Sequence, residues 1–432
     1  MNHAAFIIAA THSGCGKTTF SLGLMRALRE RNIRVQPFKC GPDYIDTQFH
    51  AVATGSPSIN LDAFMCSEPH IKQQFCKYDA TANVSIVEGV MGMFDGYAKE
   101  QGSSYHLATI LQLPIVLLVN AASTAYSVGA TIYGFRHFMA DANIVGVVFN
   151  RVGSENHYAL LQEACREAGV ECLGYIAKDK TLETPSRHLG LSLDAKEKMN
   201  DFIERAKEAV AMHVDIDRLL QLTTKEQSVY ANTPMAHDRQ PLRIAVAQDE
   251  AFNFIYPENI EALQNHPRHR GIITCFSPIH DDVLPTADLI YLPGGYPELY
   301  AHELEKNLAM RHAINTFAAN GGKILGECGG MIYLCQQLDG KEMCGVLPMR
   351  CTMNNAKLTL GYRRVETKDA VFYGHEFHYS QLTDASLLPS MAQQYNVKGK
   401  PVDTPVYRQG NTIATYTHLY WAERDILKLW NL

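Results

Sequence analysis

An apolar run at residues 6–10 passes without a break into Thr-His-Ser-Gly-Cys-Gly-Lys-Thr-Thr at 11–19, and an amphipathic helical pattern follows over 19–31. Few folds accept that order. Glycines at 14 and 16 allow a turn tight enough for a buried strand to hand over directly to a helix, and such a strand belongs inside a sheet covered by helices. The N–H groups of the loop, together with the helix dipole, form a cradle for phosphate. Ser13, Gly14, Cys15, Gly16, Lys17, Thr18 and Thr19 are therefore the candidate nucleotide-phosphate residues, with Lys17 reaching the terminal phosphates and Thr18 offering its hydroxyl to Mg²⁺. The strict pattern has glycine where Thr11 stands, so the first turn is made differently. ATPases that dimerise across their nucleotide carry a lysine where this chain has His12, which disfavours a dimerising switch.

β-Branched runs at 84–87, 115–119 and 144–149 alternate with helical stretches such as 157–167. That alternation predicts a mainly parallel sheet covered by helices. At 432 residues the chain exceeds what one core holds, which is roughly 250–300. Residues 221–241 show no clear period and carry two prolines, so they are read as a linker between a first domain, 1–220, and a second, 242–432. In the second the alternation restarts with strands at 242–247, 272–276, 289–292 and 323–326 and a helix over 302–320. Residues 359–379 and 405–417 read as antiparallel. The expected class is α/β, with two domains each built on a mainly parallel sheet.

A net charge of −6 without a long Lys/Arg run argues against a nucleic-acid partner. The longest apolar stretch, 113–119, is far short of the ~20 residues of a membrane span, and the start of the chain lacks a charged segment followed by a long apolar one. The expected location is the cytoplasm. Eleven cysteines without a C-x-x-C pair suggest neither a disulfide framework nor structural zinc.

Acids at strand ends are the next candidates. Glu88 closes the run 84–87 and is the first choice to hold Mg²⁺; Asp43 and Asp46 sit in the loop after the second strand, and Asp95 is a weaker member. In the second domain, 323–326 leads into Glu-Cys-Gly-Gly-Met at 327–331 and then a helical pattern through 338. Strand, tight glycine turn and helix form a nucleophile elbow, so Cys328 is the candidate nucleophile, its thiol lowered toward thiolate by the helix N-terminus. A distant histidine should serve as its base. His418, expected at the end of a strand at 411–417, is preferred; His375 and His378 remain open. Gly294 and Gly295, after the strand 289–292, could offer N–H groups to an oxyanion.

Taken together these stations resemble the cobyrinate/hydrogenobyrinate a,c-diamide synthases over nearly the whole chain. Further matching segments are Asn-Leu-Asp at 60–62, Phe-Asn-Arg-Val at 149–152, Arg-His-Leu-Gly at 187–190, Tyr-Pro-Glu-Asn at 256–259, Gly-His-Glu-Phe-His-Tyr-Ser at 374–380 and Thr-His-Leu-Tyr-Trp at 417–421. The resemblance implies a P-loop NTPase-like first domain similar to dethiobiotin synthetase, and a flavodoxin-like class I glutamine amidotransferase domain of the cobalamin-pathway subgroup. It implies Mg²⁺ on Thr18, Asp43 and Glu88, adenine contact by Asn150, a substrate carboxylate near Lys39, Asp43, Tyr44, Asp46 and Asp95, and a glutaminase pair of Cys328 and His418. The implied reaction is ATP- and glutamine-dependent amidation of two tetrapyrrole carboxylates through an acyl phosphate. Nickel-sirohydrochlorin or sirohydrochlorin is the alternative substrate, and a non-catalytic ATP-binding regulator the alternative class. A homodimer is compatible with this reading. Ordinary class I members follow the histidine with Pro-Glu; here Leu419 and Tyr420 stand instead, and the third triad member is unassigned, Glu423 being merely near in sequence.

Overall fold

The computed structural model describes residues 3–182, 193–230, 239–354, 356–383 and 388–432. The segment 187–190 and residues 231–238 of the expected linker lie outside them. Two compact units result, one from the residues up to 230 and one from those after 239.

The first unit carries seven parallel strands: β1 (Ala4–Ala10), β2 (Val35–Cys40), β3 (Ile59–Leu61), β4 (Val84–Glu88), β5 (Ile115–Asn120), β6 (Ile144–Val152) and β7 (Glu171–Ala177), in the order β3-β2-β4-β1-β5-β6-β7. Every residue of β1 is buried, as a central parallel strand with helices on both faces requires. Helix α1 (Lys17–Glu30) starts directly from the glycine loop, and α2 (Ile45–Thr54) follows β2. α1 packs closely on the helix Leu193–His213: a Cβ on Gly23 would lie 2.5 Å from the Ala206 carbonyl oxygen. The order reverses beside β1, so the carboxyl ends of β1, β2 and β4 open one crevice where the glycine loop sits. Part of the segment expected as linker is built into this unit. The Thr223 carbonyl accepts from the Ala5 N–H at 3.1 Å, the Lys225 N–H reaches the His3 carbonyl at 3.0 Å, and the Gln227 amide reaches the Ala82 carbonyl at 2.8 Å.

The second unit has a six-stranded sheet in the order Val406–Gln409, Thr412–Thr415, β11 (Lys323–Glu327), β10 (Leu289–Leu292), β8 (Gln240–Ala247), β9 (His269–Phe276). Only the edge strand Val406–Gln409 runs antiparallel. An antiparallel sheet, in which Thr359–Glu366, Val371–His378 and Thr417–Tyr420 are successive neighbours, stands beside it. The expected α/β class holds, with three local differences. The helix expected over 302–320 is two, Ala301–Lys306 and Leu308–Ala319, because the Asn307 side chain accepts the Met310 N–H and starts a new helix. The helix after Cys328 ends at Leu334, and Gln337–Leu338 is a strand. His418 lies within the short strand Thr417–Tyr420, which follows the sheet strand Thr412–Thr415 after a break at Tyr416. Among the described residues no helix is long and apolar enough to cross a membrane.

Candidate active sites

In the first unit a cavity of about 670 Å³ opens at the carboxyl ends of the central strands. Ser13, Gly14, Gly16, Lys17, Thr18, Thr19, Lys39, Asp43, Asp46, Glu88 and Asn150 line it; Cys15, Tyr44 and Asp95 do not. Asp95 instead accepts the Gly92 N–H at 3.1 Å, which folds its own turn. Gly14 and Gly16 have φ of 78° and 95°, values that any residue with a Cβ strongly disfavours. Gly16 is also closed sterically, since a Cβ there would lie 2.2 Å from the Asn150 Nδ2. That nitrogen donates to the Cys15 carbonyl at 2.8 Å while the Asn150 Oδ1 accepts the Arg151 N–H. Asn150 thus clamps the loop, a role its sequence context did not suggest.

Charge in the cavity is concentrated on Glu88. Its Oε1 accepts from Thr18 at 2.8 Å and from Lys39 at 2.9 Å, and its Oε2 faces His50 Nε2 at 2.8 Å. Burial would raise the Glu88 carboxyl, but Lys39 and His50 outweigh it and hold it well below the usual carboxylate range. Lys39 also bridges Asp46; burial opposes its charge, and the two carboxylates nevertheless raise it. Asp46 itself is pushed up to about 6 by burial, against the pull of Lys39. Lys17 donates to the Met91 carbonyl, and burial and then Lys39 lower its pKa. Asp43 Oδ1 accepts the N–H groups of Ile45 and Asp46, both at 2.9 Å, and so starts α2.

The second unit gathers the other predicted residues around a tight turn. Cys328 has φ 46° and ψ −105°, a conformation that costs a side chain about 1–3 kcal/mol. It is held by its N–H to the Thr415 carbonyl at 2.8 Å and by its own carbonyl, which accepts from Ile332 at 3.0 Å. The Pro-Gly-Gly turn lies against both halves of the predicted pair. A Cβ on Gly294 would sit 2.1 Å from His418 Cε1, and one on Gly329, the residue after Cys328, would sit 3.0 Å from the Gly295 nitrogen. His375 faces His418 in register, with ring centroids 5.0 Å apart, and its Nδ1 lies 3.2 Å from the Tyr256 hydroxyl. His378 is engaged elsewhere, its Nε2 2.9 Å from Glu376 and its ring stacked on Tyr416. Glu423 is placed beside Arg424.

The expected low thiol pKa is corrected here. Burial pushes the Cys328 thiol up, with Glu298 next in effect, and the Gly329 N–H opposes this only in part. Burial, then His375 and His378, hold His418 well below the usual imidazole value. Both shifts favour the uncharged side chain.

Residues 243–426 match the model of the CobB/CobQ-like glutamine amidotransferase domain, and residues 6–191 that of the CobQ/CobB/MinD/ParA nucleotide binding domain. Cobyrinate a,c-diamide synthase of Syntrophotalea carbinolica is 38% identical, the match covering 98% of this chain and 97% of that protein. Those of Salmonella typhimurium and Caldanaerobacter subterraneus are 37% identical over 99% and 97%, and 41% over 87% and 86%. The chain belongs to the cobyrinate a,c-diamide synthase family. It is a ligase that uses ATP for amidation with glutamine as nitrogen donor.

Within this synthase family member, several residues at the sites were not singled out from sequence. His50, fully buried on Glu88, stands four residues after Asp46 on α2, so both belong to one helix face; that spacing was the available signal. Arg151, Lys178, Asp179 and Lys180 line the first cavity from the ends of β6 and β7; Arg151 lay in the Phe-Asn-Arg-Val segment without an assigned role, and no motif marks the other three. Glu327 and Asn259 lay inside recognised motifs without an assigned role.

Proposed function

We propose that this enzyme amidates the a and c carboxylates of cobyrinate or hydrogenobyrinate, each through an acyl phosphate. The observation that carries the reading is the pair of separate sites, a phosphate loop facing an anionic Glu88 and a cysteine elbow that shares the Pro-Gly-Gly turn with a histidine, in a chain alike over nearly its whole length to synthases of that name. Mg²⁺ fits the first site: Thr18 and Glu88 are hard oxygen donors 2.8 Å apart, and magnesium needs few protein ligands because phosphates and waters complete its shell. Thr18 and Glu88 would hold the ion, with Asp43 adding negative charge, and the ion supplies charge neutralisation on the phosphates.

Lys17 leaves the Met91 carbonyl for the nucleotide phosphates and spreads the charge of the transferred group. Lys39 stays protonated between Asp46 and Glu88 and attracts the substrate carboxylate. Asn150 keeps the loop closed and stands where the adenine would lie. In the second unit the thiol proton of Cys328 passes to His418 as sulfur attacks the glutamine amide; Gly294 and Gly295 offer N–H groups to the oxyanion. His418 returns the proton to the departing ammonia, and water then hydrolyses the thioester to glutamate. Neutral partners suit this sequence, because charge separates only once glutamine is bound.

The test is to supply cobyrinate, hydrogenobyrinate and nickel-sirohydrochlorin separately with ATP, Mg²⁺ and glutamine and to count amides by mass. Two amides on either corrin are expected. Turnover of nickel-sirohydrochlorin alone would replace the substrate assignment.

A further inference from the structure

Directly before the nucleophile stands a carboxyl that glutamine hydrolysis, as described, does not use. Glu327, the last residue of β11, is completely buried. Its Oε1 accepts the backbone N–H of Leu419 at 3.0 Å, and its Oε2 accepts the Tyr291 hydroxyl at 2.8 Å. Leu419 follows His418. The side chain next to the nucleophile therefore holds the backbone next to the base. The carbonyl side of Leu419 is fixed as well: Asn259 Nδ2 donates to it at 2.8 Å, and Asn259 Oδ1 accepts the Trp421 N–H at 2.8 Å. Strand Thr417–Tyr420 pairs laterally only with the antiparallel sheet, whereas Cys328 directly follows a strand of the parallel one. The parallel sheet ties Cys328 to Thr415, three residues before His418; the Glu327 bridge adds a second tie, on the far side of His418, and crosses from one sheet to the other.

We propose that Glu327 is a positioning residue for glutamine hydrolysis, filling the role that the acid two residues after histidine has in ordinary class I amidotransferases, but acting through the Leu419 backbone instead of the imidazole. Asn259 is the second clamp on Leu419. An unpaired N–H at Leu419 would lie in a dry interior and would seek another acceptor, carrying His418 with it. Displacement of a catalytic group by about 1 Å costs on the order of 100-fold in rate. A carboxylate is not required for the bridge, because an amide oxygen accepts the Leu419 N–H equally well.

This inference rests on Cys328 and His418 being the glutaminase pair, and the experiment separates the two ideas. Glutamate release is measured in the full-length enzyme for Glu327→Ala, Glu327→Gln, Tyr291→Phe and Cys328→Ala, with each rate, except that of the cysteine variant, divided by the fraction of Cys328 that a glutamine-like diazoketone labels at completion. Expected are a kcat about 30–100-fold lower for Glu327→Ala with KM for glutamine within about 3-fold, a kcat for Glu327→Gln within about 3-fold of the parent, and an intermediate loss for Tyr291→Phe. A Glu327→Ala enzyme of parental kcat overturns the proposal. So does equal loss in the alanine and glutamine variants, which would assign the effect to charge. If Glu327→Ala does not accumulate as folded protein, Tyr291→Phe decides, and a parental kcat there overturns it. Persistent glutaminase activity in Cys328→Ala would instead refute the nucleophile assignment on which the inference stands.

Discussion

Glutamine in place of Glu327 removes an acid that binds its proton more tightly in the folded second unit than in the unfolded chain. Burial pushes this carboxyl up to about 8 from an ordinary 4.5, and the hydrogen bonds from Leu419 and Tyr291 only partly oppose it. Above the ordinary value the unfolded chain has released the proton while the folded one still holds it, so stability falls as pH rises between these values and levels off beyond the higher one. Each pH unit in that window is worth at most about 1.4 kcal/mol. From pH 5.5 to 8 the parent should therefore lose up to roughly 3 kcal/mol that the Glu327→Gln variant does not lose. The two tryptophans of the chain, Trp421 and Trp430, both belong to the second unit, so urea unfolding followed by tryptophan fluorescence reads the correct part of the molecule. The variant should gain about 2–3 kcal/mol on the parent across that pH range. A difference that stays constant with pH, or one that grows toward acid, would refute the reasoning.

Three further outcomes follow from the same geometry. Gly294→Ala places a methyl group 2.1 Å from His418 Cε1, so glutamine-driven synthesis should fall about 100-fold while synthesis from added ammonium salts is unchanged. Gly16→Ala combines a φ of 95° with a contact of 2.2 Å to the Asn150 amide; ATP affinity measured by equilibrium titration should drop at least about 10-fold. Cys328→Ala should abolish use of glutamine yet keep use of ammonium, whereas Lys17→Ala should stop amidation from either source with glutaminase activity intact; loss of every activity in either variant would contradict two separate sites.

Legible in the sequence was whatever the chemistry writes contiguously. The phosphate loop needs its glycines, Lys17 and Thr18 close together in the chain, and a nucleophile elbow needs glycines around Cys328, so both were visible. Glu88 was found because a strand end is a place that periodicity can locate. Invisible from sequence were roles set by meeting across space. Asn150 appeared in a recognisable motif, but its hold on the Cys15 carbonyl depends on β6 arriving beside the loop. Tyr44 and Asp95 share motifs with cavity residues and yet do not line the cavity, since adjacent residues point apart. The thiol of Cys328 departs from expectation for a related reason: the helix after it is readable in the sequence, while the burial that pushes the thiol up is contributed by the whole fold.

The enclosed position of Cys328 also bears on how the enzyme can be probed or poisoned. Among its eleven cysteines Cys275 is exposed, and the part-exposed Cys172 has its thiol lowered to about 7, chiefly by its hydrogen bond with Cys165; an alkylating agent without shape will tag these thiols before the enclosed Cys328. Selective inactivation requires a warhead carried on a glutamine-shaped body, which enters as substrate and meets sulfur only after the imidazole has taken its proton.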